Sequence, residues 1–282
     1  MSDWQHNTSG KQLEIGNRKL QIPPTVRPST MGLFSEIVCG MSTRIGGVSP
    51  APLSMNTGLS VGDDEVNVME NRRLFCDALG FSSEQLATQH QVHGDSCSVV
   101  RGPCHIDAND ALITNVPGVF LAVGVADCQP IMMYDRANKV VAGVHAGWRG
   151  AAAHIAAKTL QRMIAEFGTS QENVWVFVGP CASACCYEVD STVAMKFDKA
   201  FYVEQSNGSH VTHKSYGTDA TGNKYLLDLK ASTKSELQSA GVPAMQIETS
   251  PCCTICMPEY FHSHRRDSSR SGRMMAIIGI HS

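Results

Sequence analysis

Residues 126–153 read ADCQPIMMYDRANKVVAGVHAGWRGAAA, and the pattern of this stretch decides how the chain is organised. Residues 131–134 and 140–144 are short runs of apolar or β-branched side chains. The polar residues Asp135-Arg136-Ala137-Asn138-Lys139 separate them, which predicts an antiparallel hairpin. A hairpin brings Cys128, just before the first strand, and His145, just after the second, to the same end of a sheet. A thiolate and an imidazole meeting among small residues are ligands of the kind that zinc or copper takes. The same pair also fits a small buried cysteine beside a hydrogen-bonded histidine, so the hairpin alone leaves two readings open.

A third donor lies upstream. Gln91-Val92-His93-Gly94-Asp95 leads into the run 98–100, and Gly94 is expected to let the backbone turn directly after the histidine. His93, Cys128 and His145 would then supply three protein ligands and leave the fourth position open, as in a catalytic zinc site rather than a closed structural one.

Several blocks then fall in collinear order. STRIGGVSPAPLSMNTGLSVGDD from Ser42 is followed by QVHGD, DALIT, ADCQP, VHAGWRG, GPCASACCYEV from Gly179, and the CTIC, RRD and SGR blocks of the tail. Together they resemble the YfiH family, whose members have been called multicopper polyphenol oxidases, purine nucleoside phosphorylases and peptidoglycan editing factors. The resemblance implies an α+β domain with an α/β/β/α layered fold. It also implies a metal held by His93, Cys128 and His145, which are then the catalytic residues as well. Zinc is the expected metal and copper the alternative. On its own, the block around Arg44-Ile45-Gly46-Gly47 is a Gly-Gly turn with an arginine beside it. In the family it borders the substrate pocket, which makes Arg44 an expected anion contact. This chain has His262 and His264 where the family usually carries aromatic residues, and Ile255 where it carries tyrosine.

Composition narrows the field. A chain of 282 residues with 43% hydrophobic and 17% charged residues has ample core material and no disorder-like bias. A net charge of -3 gives no general attraction to nucleic acid or to an anionic membrane. The apolar run 119–126 is too short to span a bilayer, and no secretory pattern is apparent at the amino terminus. The 11 cysteines accordingly read as reduced thiols of a cytoplasmic protein, expected as a monomer or homodimer. Cys185-Cys186 and Cys252-Cys253-x-x-Cys256 are the clusters among them. A closed zinc site built on the CxxC needs two further ligands that spacing does not locate, so both clusters are read as small buried hydrophobes.

Taken in order, residues 1–30 read as a poorly ordered or extended lead-in and residues 31–282 as the domain, with organised structure beginning near Leu33. Asp63 or Asp64 caps a helix to Leu79, with Val68, Arg72, Phe75 and Leu79 at helical spacing and Gly80 as the left-handed exit. Residues 119–125 and 174–178 read as buried strands. A helix over 151–167 would place Gly147–Gly150 at its amino terminus, where free N–H groups favour an anion and Arg149 adds charge. His154 falls inside this helix as a surface or packing residue. Asp190 starts a short helix, 203–223 reads as a polar loop with His210 and His213 incidental, and 229–240 is a helix closed by Gly241. In the tail, Arg265 and Arg266 are expected either to hold phosphate or to be a solvated pair, and 274–280 is the last strand.

These readings converge on nucleoside chemistry. The resemblance makes this concrete: it implies small-molecule purine nucleosides and phosphate as partners, with phosphorolysis of adenosine, inosine and methylthioadenosine and deamination of adenosine as the reactions. Asp127 and Asp95 are the nearest carboxylates to the three donors in sequence. Two other classes compete: copper oxidation of phenols, which needs more paired histidines than His262-Ser263-His264 offers, and a non-catalytic zinc or nucleotide-binding role in cell-wall quality control.

Overall fold

Alternation along the strands shows why the hairpin lies between two layers. In the strand Gln129–Asp135, Met132 and Tyr134 face a second sheet, whereas Ile131 and Met133 face helices on the other side. The partner strand Val140–Ala146 pairs with it antiparallel through the register Ile131↔Val144. The structure is a computed structural model that describes residues 12–15, 18–21, 23–205 and 223–281.

The hairpin forms the centre of a six-stranded mixed sheet in the order Ile247–Thr249, Val174–Val178, Gln129–Asp135, Val140–Ala146, Ala111–Thr114, Cys97–Val99. A second six-stranded mixed sheet runs Thr25–Val26, Ile37–Ser42, Met274–Ile280, Phe120–Val125, Leu86–Gln89, Cys104–Ile106. Cys39, Met41, Leu121, Val123, Ala276 and Ile278 of the second sheet pack onto Leu112, Met132, Tyr134, Val141 and Phe177 of the first. Each large apolar side chain buried there contributes about 1.5–3 kcal/mol relative to exposure.

Both outer faces are covered by helices. Ala156, Leu160 and Met163 of the helix Ile155–Phe167 and Leu237 of the helix Leu229–Ser239 pack on the hairpin sheet. Phe75 and Leu79 of the helix Glu65–Leu79 pack on Val38, Phe120 and Ile277 of the other. The layers are therefore α/β/β/α, as the resemblance implied. A small three-stranded sheet of Glu188–Val189, Lys224–Leu227 and Tyr202–Gln205 stands apart. No helix among the described residues is long and apolar enough to cross a membrane.

Several expectations need correction. Structure begins before Leu33: Gln12–Ile15 pairs with Arg18–Gln21, and Thr25–Val26 joins the second sheet beside Ile37–Ser42. The helix expected over 151–167 is broken, because His154 adopts a left-handed φ of 60° between the short helix Trp148–Ala152 and Ile155–Phe167. Residues 203–205 are strand rather than loop, and His210 and His213 lie outside the described residues. The tail also holds a one-turn helix, His264–Asp267. The helix to Leu79 begins as expected, with Asp64 accepting from the Val66 N–H and Gly80 at φ 89°.

Candidate active site

The hairpin, a tight turn and a strained aspartate bring the three donors together. One ligand atom from each of His93, Cys128 and His145 lies within 4.8 Å of the others. His145 is the penultimate residue of its strand, opposite Pro130, rather than beyond it. His93 itself takes the left-handed φ of 61°, so the turn is made by the histidine and not by Gly94. What holds it there is Asp110, a fully buried carboxylate. Its Oδ1 accepts the His93 N–H at 3.0 Å and its Oδ2 the Gly94 N–H at 2.7 Å.

Asp110 also meets the Nδ1 of His145 at 2.8 Å. That bond fixes the ring and turns Nε2 away from the carboxylate, the usual support for a metal-bound histidine. Burial raises the Cys128 thiol, but the charge of His145 and hydrogen bonds from His145 and His93 outweigh it and bring the group to about 6. Burial likewise lowers His145, but the Cys128 charge and the Asp110 hydrogen bond leave it raised to about 9. Cys128 is therefore poised as a thiolate, the form that binds a metal.

Asp127 is the second support. Its φ of 86° is costly for a residue with a side chain. Its carboxylate accepts from Thr254 Oγ1 at 2.6 Å, Ser263 Oγ at 3.0 Å and the Arg265 N–H at 2.6 Å. These bonds fix the backbone that presents Cys128, so Asp127 acts as a bracket rather than as a ready base. Asp95 pairs with Lys158 at the surface and is not part of the pocket lining.

The donors open into a cavity of about 640 Å³. Among the described residues its lining includes Arg72, Arg149, Arg265 and Arg273, the further histidines His90, His105 and His264, and Asp127 as the sole carboxylate. Four guanidinium groups against one carboxylate suit an anionic substrate. Leu59, Ala122, Trp148, Tyr187, Leu229 and Met275 supply apolar surface in the same wall. Arg149 lies over the Trp148 ring at 4.4 Å, and Arg265 lies over Tyr187 at 5.2 Å. Both line the cavity, although the helix that begins after Gly147 has only five residues.

The structure does not bring Arg44 to this wall. Its guanidinium donates to the carbonyls of Pro258 at 3.0 Å and Pro52 at 3.1 Å, tying two loops together. The Gly46-Gly47 turn packs on the neighbouring helix Glu65–Leu79. The Val48 N–H donates to Asn71 Oδ1, and a Cβ on Gly47 would come within 2.6 Å of that same atom. Arg266 is also consumed internally, donating to the carbonyls of Thr254, Ile255 and Phe261 and pairing with Asp267.

The cysteine clusters correct the sequence reading further. Cys186 and Cys253 are buried, but Cys185 and Cys256 are exposed, which a packing role does not explain.

Sequence reasoning missed Asp110, Arg72 and Arg273. Asp110 enters the sequence reading only as the first residue of the DALIT block. Arg72 had a signal, because it shared the helical spacing of Val68, Phe75 and Leu79, and an arginine on that face must find a polar outlet. It donates Nε to the Thr57 carbonyl at 2.9 Å.

Comparison with known proteins shows the family of the chain. A family model described as multi-copper polyphenol oxidoreductase laccase matches residues 38–281. The purine nucleoside phosphorylase YlmD of Bacillus subtilis is 33% identical over 256 residues, covering 87% of this chain and 89% of that protein. Its namesake from Geobacillus stearothermophilus is 35% identical over 257 residues, with 87% and 91% covered. The crystal structure of the Bacillus licheniformis hypothetical protein YfiH matches with a TM-score of 0.79 at 33% identity, covering 92% of this chain and 97% of that one. The chain belongs to this laccase-like family, the YfiH family.

Proposed function

We propose that this chain is a zinc-dependent purine nucleoside phosphorylase that acts on adenosine, inosine and methylthioadenosine and also deaminates adenosine. The observation that carries the reading is the convergence of His93, Cys128 and His145 on a cavity whose wall is rich in arginine. The names of the relatives at 33% and 35% identity support the same activity.

The donor set fits a metal. Two imidazoles and one thiolate are a zinc set with an open position, and Asp110 supplies the outer support. Gly147 leaves room for it: a Cβ there would lie 2.9 Å from His93 Cδ2 and 3.1 Å from Cys128 Sγ. When bound, the metal supplies a Lewis acid that polarises a substrate oxygen or nitrogen. The protein's own groups do the rest. Arg149, Arg265 and Arg273 bind phosphate and orient it towards the anomeric carbon of the ribose, where the bond to phosphate forms as the glycosidic bond to the base breaks. Trp148 and Tyr187 give the nucleoside an apolar surface and exclude water.

Copper oxidation of phenols is the reading suggested by the family description. A multicopper centre needs several histidine-rich groups, whereas His93, Cys128 and His145 are the one histidine-containing cluster among the described residues. The deciding experiment is a nucleoside panel assayed with and without phosphate, with metal content measured on the same sample. Phosphate-dependent release of hypoxanthine from inosine is expected, with zinc bound. Absence of nucleoside turnover by zinc-loaded protein would support the non-catalytic alternative and overturn the proposal.

A further inference from the structure

We propose that Cys185, Cys186, Cys253 and Cys256 form a second metal site, a closed four-sulfur zinc centre that clamps two loops of the pocket wall. The four sulfur atoms all lie within 4.8 Å of one another, and the sulfurs of Cys185 and Cys256 are 3.6 Å apart. Four thiolates about 2.3 Å from one zinc would stand about 3.8 Å apart at the corners of a tetrahedron, close to this spacing. None of the four is in a disulfide. With four protein ligands no position is left for substrate, so the centre is structural and independent of the reaction proposed above.

Two further features point to a bound cation and its thiolates. The two turns are tied together by backbone: Cys181 bridges Cys253, and the Thr254 N–H donates to the Cys181 carbonyl at 3.1 Å. Finally, Lys230 is a buried ammonium whose partners are Ser183 Oγ and the carbonyls of Ser250 and Cys252, none of them an anion. A zinc ion with four thiolates carries a net charge of about two negatives, which would favour an ammonium held by Ser183 and Cys252, neighbours in sequence of the two turns.

The clamp has a consequence for the cavity. The first turn leads directly into Tyr187, which lines the cavity under Arg265. The second carries Thr254, whose hydroxyl holds Asp127 next to Cys128. Zinc at the four cysteines would thus hold both walls in place without touching substrate.

The test compares the full-length wild type with Cys256→Ser and Cys128→Ser, each purified under reducing conditions, by elemental analysis and zinc X-ray absorption. Cys256→Ser is expected to hold one zinc per chain fewer than wild type and to melt about 10 °C lower. Cys128→Ser is expected to keep a zinc whose shell is four sulfurs at about 2.3 Å. The Cys128→Ser measurement stands even if Cys256→Ser does not fold. Equal zinc content in wild type and Cys256→Ser, a shell without four sulfurs in Cys128→Ser, or iron in place of zinc would overturn the assignment. So would a Cys185–Cys256 disulfide in reduced, anaerobically prepared protein.

Discussion

The His93/Cys128/His145 group and the four-cysteine group share one connecting segment, residues 253–263, yet they differ in donor number, donor type and surroundings. The first mixes two imidazoles with one sulfur, rests on a buried carboxylate, and opens into a cavity lined by arginine. The second is all sulfur, sits on two turns, and has an exposed cysteine on each. On the two proposals above, the difference teaches what separates a reactive centre from a structural one in the same chain. Three donors held on a tight turn and at one end of a hairpin would leave a place for substrate, whereas four on turns would fill the coordination sphere and fasten loops.

The sharpest way to break the comparison is at Asp110, which supports the first group alone. Asp110→Asn keeps the shape but removes the charge behind His145, and is expected to weaken zinc binding at the three-donor site about 10- to 100-fold. Competition with a chromogenic chelator should show that one class of zinc weakens while the other does not. Loss of both classes together would mean that the two groups are not independent.

His262 probes the segment that joins them. It is buried, its Nε2 has no hydrogen-bond partner among the described residues, and burial lowers it from 6.5 to about 4. A histidine depressed in this way stays neutral in the folded protein while the unfolded chain takes up a proton. Stability is therefore fully present above about pH 6.5 and falls as the pH drops towards about 4. The loss is on the order of 2–3 kcal/mol across that window. His262→Phe should remove most of this slope in urea unfolding measured at neutral and mildly acidic pH. An unchanged slope would place the titration elsewhere.

A smaller effect is expected at Gly147, whose φ of -70° any residue can adopt, so only space is at issue. Gly147→Ala should cost about 1–3 kcal/mol through its clash with His93 and Cys128. Zinc at the three-donor site should weaken while the four-sulfur zinc is retained; unchanged zinc affinity would show that the pocket floor yields. The smallest change concerns Arg44. Arg44→Ala should cost about 1 kcal/mol of stability through its two loop carbonyls and leave the phosphate KM unaltered. A raised phosphate KM would return Arg44 to the substrate.

Much of this was legible in the sequence because the signals were local. The hairpin, the Asp64 cap, the Gly80 exit and the strand 274–280 depend on neighbours a few residues apart, and each is found. The local pattern left the three donors open to two readings and the resemblance joined them as a set, and they do converge. What sequence hid was long-range convergence. Asp110 is 17 residues from His93 and 35 from His145, and nothing local marks it as their shared acceptor. Arg44 was assigned through the family resemblance, but carbonyls 8 and 214 residues away claim it. The four cysteines escaped for the same reason, since a Cys-x-x-Cys gives no hint that a Cys-Cys turn from another part of the chain folds against it. His154 broke a helix that its apolar face had made continuous, because a single left-handed residue leaves the spacing of Ile155, Leu160 and Met163 intact.

The most direct test of the central claim is phosphate-dependent inosine turnover by Cys128→Ser, with zinc measured on the same sample. Serine keeps nearly the volume of cysteine and removes the soft donor. The account predicts a folded protein that melts near wild type once both are metal-free, lacks the three-donor zinc and has lost most phosphorolysis and deamination together. His93→Ala and His145→Ala should match it. A Cys128→Ser protein that keeps this zinc and its turnover would contradict the account and return Cys128 to the core.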